Sequence, residues 1–286
     1  MQFRLLATLC TLVLVHPSPV HALDCTKASS RVEKLFCATP KLKKADEAMS
    51  AAYFKLLHET TDPEFHDALI RSQQRWLEVR DHIPDRSSGQ AEGDTTDDRD
   101  IWFSTHGRMM LLQSGDLILT MEQQRKIRLQ DSGGAFAGYK AHCILENGIY
   151  ECWGDTLRQN NDRICSTVME RASDGNMTEH RAVSVLKNGE QKVVATCSTG
   201  YAVTSDKQCP LPHADVWNKL DGHWNTTLAQ SDNLTTLNTS DLWNYDPDFS
   251  LNLTDQRWFQ DCLFAPTYPP PLEVSRPNSK SNASGR

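Results

Sequence analysis

CILENGIYEC, residues Cys143 to Cys152, sets two cysteines at equal distances either side of an Asn-Gly pair. Asn147-Gly148 is the preferred centre of a two-residue type I′ hairpin, because both central positions need positive φ. Pairing then runs outward: Glu146 with Ile149, Leu145 with Tyr150, Ile144 with Glu151, Cys143 with Cys152. Hydrogen-bonded and non-hydrogen-bonded pairs alternate, so the cysteines fall in a non-hydrogen-bonded pair with Cα atoms about 4.5 Å apart. That is the short end of the disulfide range. The spacing predicts a cross-strand disulfide in any compartment that oxidises thiols. Leu145 and Tyr150 share its face and should pack inward, with Glu151 on the other side.

The first residues point to such a compartment. Arg4 supplies a positive start, Leu5 to Val15 an apolar core, and Val20-His21-Ala22 a small-x-small cleavage site. This is the pattern of a secretory signal peptide over residues 1–22. The apolar run is too short to span a bilayer, and no later segment reads as a membrane span. Cys10 follows Leu9 rather than a small residue, which does not suit a lipoprotein signal. The mature chain is expected to begin at Leu23 and to be periplasmic or secreted.

Cleavage removes Arg4 and takes the formal charge from −7 to −8. It also removes Cys10, leaving Cys25, Cys37, Cys143, Cys152, Cys165, Cys197, Cys209 and Cys262. An even set in an exported chain favours full pairing. For the last four, three pairings are possible. The shortest loop favours Cys197 with Cys209, which leaves Cys165 with Cys262. The acidic balance repels nucleic acid and suits basic partners.

The expected fold class is α+β, with a small N-terminal helical domain over 23–130, a disulfide-stapled antiparallel β module over 131–212 and a tail. Ser30 and Glu33 form a capping box that starts a short helix ending near Cys37. Thr39-Pro40 opens the next, whose apolar face carries Leu42, Ala45, Met49, Ala52, Tyr53 and Leu56. Asp62-Pro63 opens a third, with Leu69, Ile70, Gln73, Trp76, Leu77 and Arg80 on one face and Pro84 ending it. Residues 87–100 are acidic and lack apolar periodicity, as a solvated loop would. A further helix is expected over Ile101 to Leu129, weakened by Gly107 and Gly115. A second hairpin centres on Asn188-Gly189, placing Val185 opposite Lys192 and Val183 opposite Val194, for a sheet of about four strands. Residues 213–286 are polar and are expected to be largely irregular, ending in a disordered tail.

The segment DCTKASSRVEKLFCATPKLKKADEAMSAAYFKLL, followed by QQRWLEVRD, resembles the N-terminal domain of the LprI family of lysozyme inhibitors. The matching positions are Cys25, Glu33, Cys37, Leu42, Asp46, Tyr53, Gln73, Trp76, Leu77, Arg80 and Asp81. The resemblance covers roughly 60 residues and implies a small exported helical domain with no cofactor. Cys25 and Cys37 are expected to form a disulfide that pins the first helix. The family usually carries a further cysteine pair, after the Trp-Leu-x-x-Arg-Asp block and at the start of the last helix. Ile83 and Ile101 stand near those places here, which suits replacement of a disulfide by an apolar contact. Within 139–156, HCILENGIYECWGDT (residues 142–156) resembles one strand-turn-strand of a regulator-of-chromosome-condensation repeat. A single copy cannot close a propeller.

Glu33, Asp46, Tyr53, Gln73, Trp76, Arg80 and Asp81 read mostly as a structural network, with Tyr53 and Trp76 in the core. The histidines show no H-x-x-x-H or Cys/His zinc spacing, and no Gly-x-Ser-x-Gly, P-loop or dinucleotide fingerprint occurs. Asn176, Asn225, Asn233, Asn238, Asn252 and Asn282 head Asn-x-Ser/Thr triplets. The bacterial export implied by the resemblance makes these polar composition rather than glycan sites. The expected function is non-catalytic binding without metal or cofactor, with a basic lysozyme-type muramidase as partner. An envelope-associated interaction protein without inhibitory activity is the alternative, and an uncharacterised hydrolase the second.

Overall fold

The computed structural model describes residues 23–82, 96–131, 136–146, 148–173, 175–200, 209, 224–226, 237, 239–249 and 253–269. Residues 1–22, where a signal peptide is expected, Ile83, most of the acidic loop, Asn147 and the residues from 270 lie outside them. Five helices come first: α1 (Arg31–Ala38), α2 (Pro40–Glu59), α3 (Pro63–Asp81), α4 (Thr96–Ser114) and α5 (Asp116–Asp131). Ser30 caps α1 by accepting from Glu33 N at 3.1 Å, and the Glu33 carboxylate accepts from Ser30 N at 2.9 Å. Asp62 caps α3 through Glu64 N and Phe65 N, with Pro63 at the tolerated first position.

Two helical expectations need correction. Residues 96–100, placed in the acidic loop, are the start of α4. Asp98 lies in its first turn, where a carboxylate suits the positive end of the helix dipole. The single helix expected over 101–129 is two. Gly115 adopts φ +82 and ends α4, and Ser114 Oγ accepts from Asp116 N at 3.2 Å to start α5. Met49, Tyr53, Phe65, Leu69 and Trp76 then pack with Leu112, Leu117 and Met121. Ile101, fully buried, joins Val32, Phe36 and Leu42 in a second cluster.

The sheet is a five-stranded antiparallel meander, β1 (Phe136–Glu146), β2 (Ile149–Asn160), β3 (Arg163–Arg171), β4 (Met177–Lys187) and β5 (Glu190–Gly200). Glu146 pairs with Ile149 and Cys143 with Cys152, whose Cα atoms lie 4.1 Å apart in a disulfide. The strand beyond the four expected is β3, in which Ile164, Cys165, Ser166 and Thr167 are all buried. A strand covered on both faces shows no alternation. In the second hairpin, Asn188 (φ 56) and Gly189 (φ 82) turn the chain and Val185 opposes Lys192. Val183 opposes Ala195 rather than Val194, because a bulge intervenes at Val183/Ser184. The extra residue brings Ala195 and Cys197 into one cluster with Val183 and Cys165.

The region expected to be irregular contains a sixth helix, α6 (Leu253–Phe264). Trp258, Phe259, Cys262 and Leu263 form a helix-spaced apolar face that packs on that cluster beside Trp224. Cys165–Cys262 ties α6 to β3, and Arg163 donates to the Cys262 and Ala265 carbonyls at the end of the helix. Cys197–Cys209 closes the chain after β5, and Cys25–Cys37 links the chain before α1 to that helix. The 243–249 segment crosses back over the sheet, with Trp243 bridging Tyr139 through two backbone bonds of 2.8 and 3.0 Å.

Gly154 of β2 lies under this crossing. A Cβ there would sit 2.5 Å from Lys140 O and 2.5 Å from a ring carbon of Phe249. Replacing Gly154 by Ala should therefore destabilise the protein by about 1–3 kcal/mol, read as a lower urea midpoint at unchanged slope.

Candidate functional site

The residues singled out in the sequence lie mostly inside the helical half. Glu33 is occupied in the capping box. Asp46, 4 % exposed, meets Arg80 Nη1 at 3.3 Å, and Arg80 also binds Asp81 at 2.8 Å. The Arg80 guanidinium lies over the rings of Phe36 and Trp76, at 5.0 and 5.1 Å. Burial pushes the Asp46 carboxyl above its ordinary range, against the Leu23 N–H and Arg80, which pull it down. Tyr53 and Trp76 are core side chains. Gln73 donates to Met49 Sδ and accepts from Arg108 Nε at 3.1 Å. This network joins α1, α2, α3 and α4, and of the seven residues only Glu33 and Asp81 are not fully buried.

A second network was not visible in the sequence, and it positions the open face of the molecule. Asp246 and Asp248, each with side chains 1 % exposed, enter between the helices and the sheet. Arg75 grips Asp246 with two bonds of 2.9 and 2.7 Å and Asp248 with one of 2.7 Å. Arg108, with a fully buried side chain, reaches Asp248 at 3.1 Å and Ser72 Oγ at 2.6 Å. Asp246 also accepts from Ala141 N of β1 at 2.8 Å, and its backbone exchanges two bonds with the Gln124 amide of α5. The one available signal was WNYDPDF at 243–249, an aromatic-rich run in an otherwise polar region.

Against this network lies a cavity of about 560 Å³ between α4 and the β1–β2 turn. Phe103, Ser104, Gly107, Arg108, Ile149 and Tyr150 are among its walls. Gly148 sets the turn against α4: its φ is +77, and a Cβ would come within 3.1 Å of the Asp100 backbone. Phe103 and Ile149 are 46 % and 68 % exposed. Ser104 Oγ and Tyr150 OH are buried with no hydrogen-bond partner among the described residues, and native structures rarely leave buried polar atoms unpaired. Burial, then the charge of Asp248, pushes the Tyr150 phenol well above its usual value, so it stays neutral and able to donate. A Cβ at Gly107 would meet nothing within 4 Å. The arrangement is an apolar recess with two hydroxyls inside and Arg99 and Asp100 on its walls. Among the described residues, no group of three His, Cys, Asp or Glu could hold a metal ion.

Residues 25–143 match the family model described as Lysozyme inhibitor LprI. The match extends past the two sequence blocks that resemble the family and takes in α1 to α5 and β1 as far as Cys143. No curated protein and no solved structure matches the chain.

Removing Asp246 from the second network leaves two buried guanidiniums, Arg75 and Arg108, sharing the single carboxylate of Asp248. Asp246→Ala should cost about 3–5 kcal/mol of stability, read by urea unfolding followed by tryptophan fluorescence.

Proposed function

We propose that this protein is an exported, non-catalytic inhibitor of a lysozyme-type muramidase, and that the cavity beside the β1–β2 turn is its docking face. The observation that carries this reading is the LprI match over 25–143, because the matched segment includes α4, which forms most of the cavity wall. The leader at 1–22 would deliver the chain to the periplasm or beyond it. Four disulfides suit folding in an oxidising compartment, and no helix among the described residues is long and apolar enough to cross a membrane.

The chemistry fits a basic partner. Loss of Arg4 with the leader takes the formal charge from −7 to −8, which would steer a cationic enzyme toward the surface. A Lys or Arg from the enzyme could lay its aliphatic stem along Phe103, Leu111 and Ile149 and present its head to Asp100 and the Ser104 and Tyr150 oxygens. The turn carrying Ile149 would enter the groove that holds the enzyme's two catalytic carboxylates.

Mature protein should slow lysis of cell walls by a susceptible lysozyme at near-stoichiometric concentration, with the effect weakening as salt is added. Gly107→Trp should fill the recess and weaken inhibition by about tenfold or more while keeping the thermal midpoint, since Trp is a better helix former than Gly. No inhibition by the wild-type protein across several lysozyme classes would instead support an envelope-associated interaction protein.

A further inference from the structure

Leu23 is placed with its backbone nitrogen donating to Asp46 Oδ2 at 3.2 Å. It is held there from two sides. Its side chain packs against the Val32–Phe36–Leu42–Ile101 cluster, and Cys25, two residues on, is bonded to Cys37 of α1. The other Asp46 oxygen meets Arg80, but Arg80 is shared with Asp81. Two carboxylates therefore divide one guanidinium, Asp46 buried and Asp81 with its side chain 31 % exposed. Of the neighbouring charges on α2, Lys43 and Glu47 border the small space beside Leu23 and Asp46, and both are exposed. A buried carboxylate short of positive charge is unfavourable. Burial first, and then the nearby Glu47 and Asp81 charges, raise the Asp46 carboxyl above its ordinary range, against the pull of the Leu23 N–H and Arg80.

Leu23 is also the residue that follows Val20-His21-Ala22. We infer that removal of the leader after Ala22 turns the Leu23 nitrogen into an α-ammonium that pairs with Asp46, so that processing completes the charge balance of the helical core. A signal peptidase hydrolyses the Ala22–Leu23 amide with one water. The leader leaves with the new carboxylate, and the Leu23 nitrogen, now an amine, takes up a proton. The nitrogen keeps its position and gains one positive charge. The Asp46, Arg80 and Asp81 set, with one charge too many on the acid side, becomes neutral. Cleavage one residue earlier or later would place the ammonium out of reach of Asp46.

This inference rests on the export reading above and is tested separately from inhibition. Protein recovered after export is sequenced from its N-terminus; Leu23 as first residue is expected, and any other first residue overturns the inference. The mature chain and a chain extended by Gly-Ser before Leu23 are then compared in urea, each with Asp46 and with Asp46→Asn. The extension should lower the folding equilibrium constant about tenfold or more when Asp46 is present, the scale of a charge-assisted bond. It should change it by less than about twofold in Asp46→Asn, as for uncoupled positions. Equal losses in both backgrounds overturn the pairing. If Asp46→Asn does not fold, the pH dependence of N-terminal acylation decides: the amine should titrate above the usual value of about 7.7, and an ordinary value overturns the pairing. A coupled N-terminus in a protein that inhibits no lysozyme would remove the binding proposal and leave this one standing.

Discussion

Arg75 and Arg108 facing Asp246 and Asp248 form the contact on which the arrangement of helices and sheet depends. Four charges with side chains between 0 % and 13 % exposed would be ruinous alone, because each must leave water. They are tolerable together. The set is neutral, Arg75 is bidentate on Asp246, and Ser72, Gln73, Ala141 N and Asp248 N take up remaining donors and acceptors. One short segment thereby touches α3 through Arg75, α4 through Arg108, α5 through Gln124 and β1 through Ala141. Tyr245 adds an apolar anchor, meeting the edge of Phe65 at 5.0 Å within the helical core. The cavity inherits its shape from this contact, since Arg108 forms part of its wall and lies 5.9 Å over the Tyr150 ring.

Local chemistry was legible in the sequence, and distant chemistry was not. A symmetric Cys–Asn-Gly–Cys spacing determines a register without any knowledge of the rest of the chain, and β1 and β2 pair accordingly. Ser30–Glu33 and Asp62-Pro63 mark helix starts for the same reason, since cap and capped residues are neighbours. The resemblance at Cys25 to Asp81 covers α1 to α3 alone, and α4 and α5 lie beyond it. Asp246 finds Arg75 at a separation of 171 residues and Ala141 at 105, so in sequence it is merely one more acid in a polar tail. Strand β3 was hidden by burial on both faces, and α6 by polar residues surrounding a four-residue apolar stripe. The recess was hidden because its walls, Gly107 and the Gly148 turn, are places where side chains are missing.

The disulfides and the buried ion pairs divide the work of holding the fold. Cys25–Cys37 lies at α1, Cys143–Cys152 within one hairpin, and Cys165–Cys262 and Cys197–Cys209 at the α6 side of the sheet. None of the four crosses from the α1–α5 helices to the sheet. Reduction would therefore loosen each half locally, while the seam along which the recess lies is held by charge and packing. Buried pairs are screened by salt far less than exposed ones. Salt that weakens the encounter between an acidic surface and a basic enzyme should then leave the recess intact. A loss of inhibition at high salt with an unchanged unfolding midpoint would report on the encounter alone. That separation exists because the charges that build the face are not those that would attract a partner to it.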